Sequence, residues 1–448
     1  MTAPARTAAY HALRAIEVNR ADLPTALATS RQHLADDRDR ALAAEIVAGT
    51  LRWQRSFDHL IVHFAKRAIA KLDPEVVTIL RLSLYQLLHL DRVPASAVVD
   101  DAVNLTRGAR KPSAAGFVNA VLRSTQRQRN RLPLPPRPNA PSRDAAIAYL
   151  GITHSHPDWL AARWLDRYGL EGAERWVRFN NETPSLTLRA NRLRHTREDV
   201  AAALAAEEIE TAPTGLAPDG LVVTAGNPLR RPGDGSFVVQ DEASQLVSLA
   251  VHAQPGERVL DLCASPGGKT IAMASDMDGT GVVIACDVRP RRVALLRDTV
   301  RASGAANIRL VHVAPQGALP FTQEFDRVLV DAPCSGLGTI RRDPDIRWRR
   351  LESDLPALVR DQLALLARAA DAVRPGGRLV YATCSSEPEE NEGVVEAFLA
   401  EHPDFVLVDL RQDKVAALAP VLDARGMLRT APSEHGLEAF FAAALVRG

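Results

Sequence analysis

All four cysteines of this 448-residue chain, Cys263, Cys286, Cys334 and Cys384, lie in its C-terminal half, and two stand where a thiol can do chemistry. In Gly377-Arg-Leu-Val-Tyr-Ala-Thr-Cys384 the apolar run Leu379–Ala382 reads as a buried strand that stops at Thr383 and Cys384. Glu387-Pro388-Glu389-Glu390 follows, with the look of the acidic first turn of a helix. A cysteine facing a helix N-terminus is a plausible thiolate, because the helix dipole favours negative charge. A lone cysteine at a strand end is more often inert core, so the neighbours decide. A second strand-like run, Arg327–Asp331, leads into Asp331-Ala-Pro-Cys334-Ser-Gly-Leu-Gly338. Adjacent strand ends in a parallel sheet would bring Asp331, Cys334 and Cys384 to one rim.

Two thiols and a carboxylate at one rim suit methylation of cytosine at carbon 5. That carbon is a poor nucleophile until a thiolate adds to carbon 6 and turns the ring into an enamine able to attack an electrophilic methyl. Covalent catalysis of this kind divides one hard step into two easier ones. A carboxylic acid on the N3 edge stabilises the charge that develops. Removing the C5 proton and expelling the first thiol needs a further group nearby, which gives the second cysteine a task.

The segment Asp261-Leu-Cys-Ala-Ser-Pro-Gly-Gly-Lys-Thr270 is a glycine loop between a strand and its helix. Gly267 and Gly268 let the backbone approach a ligand, and the helix start offers unpaired N–H groups. It is not a phosphate loop, which needs glycine where Cys263 stands, nor does it have dinucleotide Gly-x-Gly-x-x-Gly spacing. Asp287 ends the next strand, where an acid can hold ribose hydroxyls. A nucleoside cofactor is expected.

The elements that position these residues follow from the alternating pattern after Glu257. Val259–Leu262, Val282–Asp287, Ile308–Val313, Arg327–Asp331 and Arg378–Thr383 read as strands. Helices near Lys269–Met277, Arg291–Ser303, Leu355–Ala372 and Glu389–Glu401 separate them, which predicts a mostly parallel sheet with ligands at the strands' carboxyl ends. Residues 1–130 read as helices throughout. Arg131–Pro141, with five prolines in eleven residues, reads as a stiff linker. A helix near Pro157–Phe179, strands Leu186–Ala190 and Gly220–Thr224 and a helix at Thr196–Ala206 make a small α/β unit between linker and sheet. The partition expected is 1–130, a linker at 131–143, 144–240 and 241–448.

Apolar content of 46% and charged content of 24% suit a soluble chain, and no apolar run reaches the ~20 residues of a membrane span. With no signal-peptide pattern and no Cys-x-x-Cys pair, the cytoplasm is the expected compartment, and neither a disulfide framework nor a metal site is expected. The net charge of +1 hides an excess of eight basic residues through position 131. From Ala102 to Arg143 no acid occurs among Arg107, Arg110, Lys111, Arg123, Arg127, Arg129, Arg131, Arg137 and Arg143. Such a run is either a solubilising face or a surface for nucleic-acid phosphates.

The motifs DLCASPGGKT, DAPCSGLGTIRRDPDIRW and YATCSSEPEENE resemble those of the S-adenosylmethionine-dependent RNA cytosine-C5 methyltransferases. Residues 1–130 look like a NusB-type helical domain and FVVQDEASQ like that family's lead into its catalytic domain. The whole is similar to bacterial 16S ribosomal RNA methyltransferases of the RsmB or Sun type. The resemblance implies a multidomain fold: an all-α NusB-like domain, a small α+β ferredoxin- or RRM-like domain, and a Rossmann-like class I methyltransferase domain. It implies Cys384 as nucleophile, Cys334 as the thiol that assists product release, and Asp331 contacting both base and donor pocket. Cys263, Ala264, Ser265, Pro266, Gly267, Gly268 and Lys269 would wrap the methionine part of S-adenosylmethionine, and Asp287 would hold its ribose. DNA cytosine methyltransferases use the Pro-Cys cysteine, here Cys334, as nucleophile, so the presence of both cysteines favours RNA. Two positions depart from the family: Gln316 where an acid usually meets adenine, and Glu438 where Asp is common. The partner implied is RNA, 16S rRNA or a partly assembled small subunit, with no membrane and the protein a monomer. The Arg107–Arg143 stretch, the middle domain and Arg341, Arg342, Arg347 and Trp348 are candidates to grip it. The same chemistry on transfer RNA or DNA, and a non-catalytic RNA-binding or antitermination factor, are the competing readings.

Overall fold

The computed structural model describes residues 2–139, 142–230 and 233–448. It divides into two units, Met1–Thr183 with Ile340–Glu352, and Pro184–Thr339 with Ser353–Gly448.

In the first unit, helices Pro4–Glu17, Leu23–Gln32, Asp37–Arg52, Gln54–Ala65, Pro74–His89, Ala95–Gly108 and Ala115–Arg127 pack around a common core. The helix Pro74–His89 is the axis. Val76, Val77, Ile79, Leu80, Leu82, Leu84 and Leu87 are all buried, and a helix apolar on every side can sit only inside its neighbours. Gly49 permits the closest approach: a β-carbon there would lie 1.9 Å from the Tyr85 ring.

Leu132 and Leu134 pack on this core, and the unit continues through the proline-rich stretch to Thr183. Proline stiffens a chain without preventing the leucines between from docking. The division between units therefore falls at Thr183, beyond the linker; Ala140 and Pro141 of that linker lie outside the described residues. The helix Asp158–Asn181 is kinked at Gly169 (φ +65°) and carries the buried, stacked rings of Trp164 and Trp176, 5.6 Å apart.

Ile340–Glu352, which follows the Cys334 motif, belongs to this unit too. Arg347 is fully buried and donates from Nη1 to the carbonyls of Arg52 (3.3 Å) and Ser155 (3.0 Å) and to Asn181 Oδ1 (2.9 Å), and from Nη2 to the Asn180 carbonyl (3.1 Å). The Trp348 indole donates to the Leu51 carbonyl, and Arg341 stacks over the Phe179 ring at 3.9 Å. Arg347 is thus a structural clamp and does not track phosphates. Replacing it with Met leaves four oxygen acceptors unpaired, an expected loss of about 3 kcal/mol. Urea unfolding of Arg347→Met should show that loss, whereas the exposed Arg107→Ala should leave the midpoint unchanged.

The second unit begins with strands β1 (Thr187–Ala190), β2 (Glu210–Pro213), β3 (Gly220–Ala225) and β4 (Phe237–Val239), an antiparallel sheet in the order β2-β3-β1-β4. Its helix Arg197–Ala205 starts at a capping box between Thr196 and Asp199. The larger sheet contains β5 (Arg258–Asp261), β6 (Val282–Asp287), β7 (Ile308–His312), β8 (Phe325–Asp331), β9 (Val373–Thr383), β10 (Phe405–Val408), β11 (Leu428–Arg429) and β12 (Phe441–Arg447). Its order is β10-β12-β9-β8-β5-β6-β7, with β11 on β12. The pairs β5–β6, β6–β7, β5–β8 and β8–β9 are parallel; β12 runs antiparallel between β9 and β10. The chain winds outward from β5 to β7, then returns to place β8 on the other side of β5. A crevice opens at the carboxyl ends of strands where the winding reverses, and the loops after β5 and β8 border it. Among the described residues no helix is long and apolar enough to cross a membrane.

Candidate active site

The loop after β5 turns at Gly267, whose φ of +110° suits glycine, and there the helix Gly268–Asp276 begins. The loop is fixed from several sides. The Ala264 amide donates to the Cys286 carbonyl (2.9 Å), Thr270 Oγ1 to Asp261 Oδ2 (2.7 Å), and Arg189 Nη2 to the Gly268 carbonyl (2.7 Å). Lys269 Nζ reaches Asp331 Oδ2 at 2.8 Å and so joins this loop to the end of β8. Burial alone pulls the Lys269 ammonium down, but Asp331 outweighs it and the net shift is upward. Burial pushes Asp261 up to about 7, and it also raises Cys263. Asp287, at the end of β6, is buried and accepts from the Arg289 amide at 3.0 Å.

β8 and β9 are neighbours, and the loops that leave them bring Cys334 Sγ to 3.3 Å from Cys384 Sγ. Both thiols are partly exposed. The hydrogen bond to Cys384, with burial second, pushes the Cys334 thiol well above its ordinary value, so Cys334 rests protonated. The Gly338 amide donates to the Cys384 carbonyl (3.0 Å), and a β-carbon at Gly338 would lie 2.0 Å from the Ala439 carbonyl. Cys286 is buried within β6, with its thiol raised to about 12, and takes no part.

The residues after Cys384 depart from expectation. Pro388–Glu390 is a short 3-10 turn, and Asn391 (φ −105°, ψ −104°) breaks it from the helix Glu392–Glu401. Cys384 therefore has no α-helix first turn at Glu387–Glu390; its polar contacts are Cys334 and the Gly338 amide. Glu390, read as part of the acidic first turn of a helix, lies in the 3-10 turn and is wholly buried. Of the two departures from the family pattern, Gln316 lies in an exposed turn after β7, and Glu438 is buried with its carbonyl accepting from Thr430. The basic stretch of the first unit finds its acids elsewhere in the chain: Lys111 meets Asp73, Arg129 meets Asp91, Arg137 meets Glu174 and Arg143 meets Asp166. Arg107, Arg110, Arg123, Arg127 and Arg131 remain exposed.

The loop after β5 suits a donor carrying an ammonium group and a ribose. Gly267 and Gly268 pack closely on Leu296 and on Gln240, and Asp261 Oδ1, Ser265 Oγ and the nearby Gln240 Oε1 are buried without a protein partner. All three are oxygen acceptors, as an ammonium or a hydroxyl requires.

The chain matches the 16S rRNA methyltransferase RsmB/F family over residues 248–446, the NusB family over 3–127 and the RsmF/B-like ferredoxin-like domain over 156–230. It is 34% identical to a Bacillus subtilis (strain 168) protein named "Probable ribosomal RNA small subunit methyltransferase B", over 90% of each chain. It is 35% identical to the ribosomal RNA small subunit methyltransferase B of Pseudomonas putida, over 90% of this chain and 91% of that one. The crystal structure of PH0851 superposes with a TM-score of 0.81 at 26% identity, covering 100% of this chain and 99% of that one. Fold and site define an S-adenosylmethionine-dependent methyltransferase of ribosomal RNA, built from a NusB-like helical domain, a ferredoxin-like domain and a mostly parallel catalytic sheet. The chain belongs to the RsmB/F 16S rRNA methyltransferase family.

Proposed function

We propose that the protein methylates C5 of a cytosine in 16S ribosomal RNA through a covalent adduct between Cys384 and C6 of the base. The observation that carries this reading is the pair of thiols 3.3 Å apart at the ends of adjacent strands, next to the Lys269–Asp331 pair. Cys263–Lys269 and Asp287 hold S-adenosylmethionine. When bound, it supplies an electrophilic methyl group.

Cys384, as thiolate, adds to C6; the C5=C6 electron pair moves to C5 and is delocalised through C4 onto N3, where Asp331, as a carboxylic acid oriented by Lys269, donates a hydrogen bond that stabilises the developing charge. After methylation C5 carries both a methyl group and a hydrogen. Cys384 is by then a thioether, and the hydrogen bond that chiefly raises the Cys334 thiol is gone. Cys334 ionises more easily at that stage, its own proton passing to solvent, to which the thiol is partly open, and the thiolate then takes the C5 proton. The C5–H electrons re-form C5=C6, the C6–S bond breaks, and its pair leaves on Cys384. Cys334, again a thiol, is placed to hydrogen-bond that departing thiolate.

The partition 1–130, 131–143, 144–240 and 241–448 is retained as the functional modules, with the exposed arginines between Arg107 and Arg131 and the ferredoxin-like domain gripping RNA. The enzyme works as a monomer in the cytoplasm. Bisulfite sequencing of total RNA from a deletion strain tests the assignment. One 16S cytosine should lose its methyl mark and regain it on complementation. Loss confined to transfer RNA or DNA would move the substrate, and no lost mark at all would overturn the reading.

A further inference from the structure

The Glu390 side chain is wholly buried and reaches both cysteine loops. Its Oε1 accepts from the amide of Ser335, the residue after Cys334 (2.8 Å), and from Gln362 Nε2 (2.9 Å). Its Oε2 accepts from Oγ of Ser385, the residue after Cys384 (2.5 Å). The same Gln362 amide donates to the Pro333 carbonyl (3.1 Å), and Ser335 Oγ and Ser385 Oγ are 3.1 Å apart. The Glu390 carbonyl accepts from the Tyr381 hydroxyl (2.6 Å), which anchors the turn to β9. We propose that Glu390 is a positioning residue for the two-thiol reaction, its carboxyl group tying the Cys334 loop to the Cys384 loop and setting the distance between the sulfurs. This rests on the reading of Cys384 and Cys334 given above.

Two physical effects separate this role from plain packing. The first is geometric. One carboxyl group joins backbone from the β8 loop to a side chain from the β9 loop, so its loss frees each loop to relax independently. Near-attack geometry lost by about 1 Å lowers rate on the order of 10²-fold. The second is electrostatic. Among the described residues, the titratable groups facing Cys334 include Cys384 and Tyr381 from β9 and its extension, and Glu390 from the turn; the negative charge of Glu390 helps keep Cys334 protonated. Glu390→Gln keeps the shape and both amide contacts, since the new carboxamide oxygen still accepts from Ser335 and Gln362 while its NH₂ donates to Ser385 Oγ. It removes the charge and reverses the direction of the Ser385 hydrogen bond, and keeps the link between the two loops. Glu390→Ala removes both charge and link.

The experiment pairs single-turnover methylation with iodoacetamide labelling of Cys334 against pH, read by peptide mass, on the full chain. Glu390→Ala should lower the single-turnover rate about 10²-fold, with S-adenosylmethionine affinity by calorimetry within twofold of the parent. Glu390→Gln should recover most of that rate. It should also move the labelling midpoint of Cys334 down by about one pH unit. A residue that merely packs would leave the midpoint where it is. Parent-like rate in Glu390→Ala, or an unmoved midpoint in Glu390→Gln, overturns the proposal. Should Glu390→Ala fail to fold, the Gln variant decides alone. The labelling needs no RNA, so a parent enzyme that fails to methylate cytosine would sink the proposed reaction while leaving this readout intact.

Discussion

Cys384→Ala is expected to abolish methyl transfer, a loss of about 10⁴-fold or more, while S-adenosylmethionine still binds. Without addition to C6, the C5 carbon of cytosine stays a weak nucleophile, and neither the donor pocket nor the Asp331–Lys269 pair can supply what is missing. Each factor of ten is about 1.4 kcal/mol of barrier, so the change asks covalent activation for at least ~5.5 kcal/mol, well within what a second, lower-energy route contributes. Folding should be little disturbed, because Cys384 is partly exposed and its backbone contact to Gly338 does not involve the side chain. Tritium transfer to 16S RNA and calorimetry with the cofactor separate the two properties. Transfer at the parent rate would remove Cys384 from the mechanism.

Much of this site was legible because parallel-sheet chemistry leaves a linear trace. An apolar run that stops at Asp331, another that stops at Cys384, and a glycine loop after Asp261 each mark the carboxyl end of a strand, and β8 and β9 then set two of them side by side. What pattern reading missed is what depends on partners distant in the chain. Phe441–Arg447 is rich in alanine, which has little strand preference, yet it forms β12 because β9 and β10 each offer it an open edge. Lys111 and the arginines between Arg107 and Arg143 looked like one unbroken positive run, but the acids that answer several of these residues, Asp73, Asp91, Asp166 and Glu174, lie far off in sequence. Arg347 misled for the same reason. A guanidinium next to a catalytic motif invites a phosphate, whereas five donors in a fixed fork serve equally well to gather backbone carbonyls. Glu390 hid in an apparent first helical turn, since nothing local reveals that Asn391 breaks the chain and turns the carboxyl group inward.

Cys334→Ala separates the proposed mechanism from its mirror image, in which the Pro-Cys thiol attacks. If Cys384 attacks, addition to C6 and methylation still proceed without Cys334, but removal of the C5 proton and departure of Cys384 slow down. The enzyme should then accumulate as a covalent complex with RNA, stable to denaturing gel electrophoresis and lost when the RNA is digested to nucleosides. Turnover should fall by about 10³-fold, whereas the first methyl transfer per enzyme should be retained within about tenfold of the parent. The double variant with Cys384→Ala should form no complex. The mirror mechanism predicts the reverse: Cys334→Ala would give no adduct, and the stalled complex, if any formed, would belong to Cys384→Ala. The Sγ–Sγ distance of 3.3 Å makes the comparison clean, because the two thiols share one location and one hydrogen bond and differ only in which sulfur forms the bond to carbon. A Cys334→Ala protein that turns over normally and leaves no adduct would mean that Cys334 assists neither proton removal nor release.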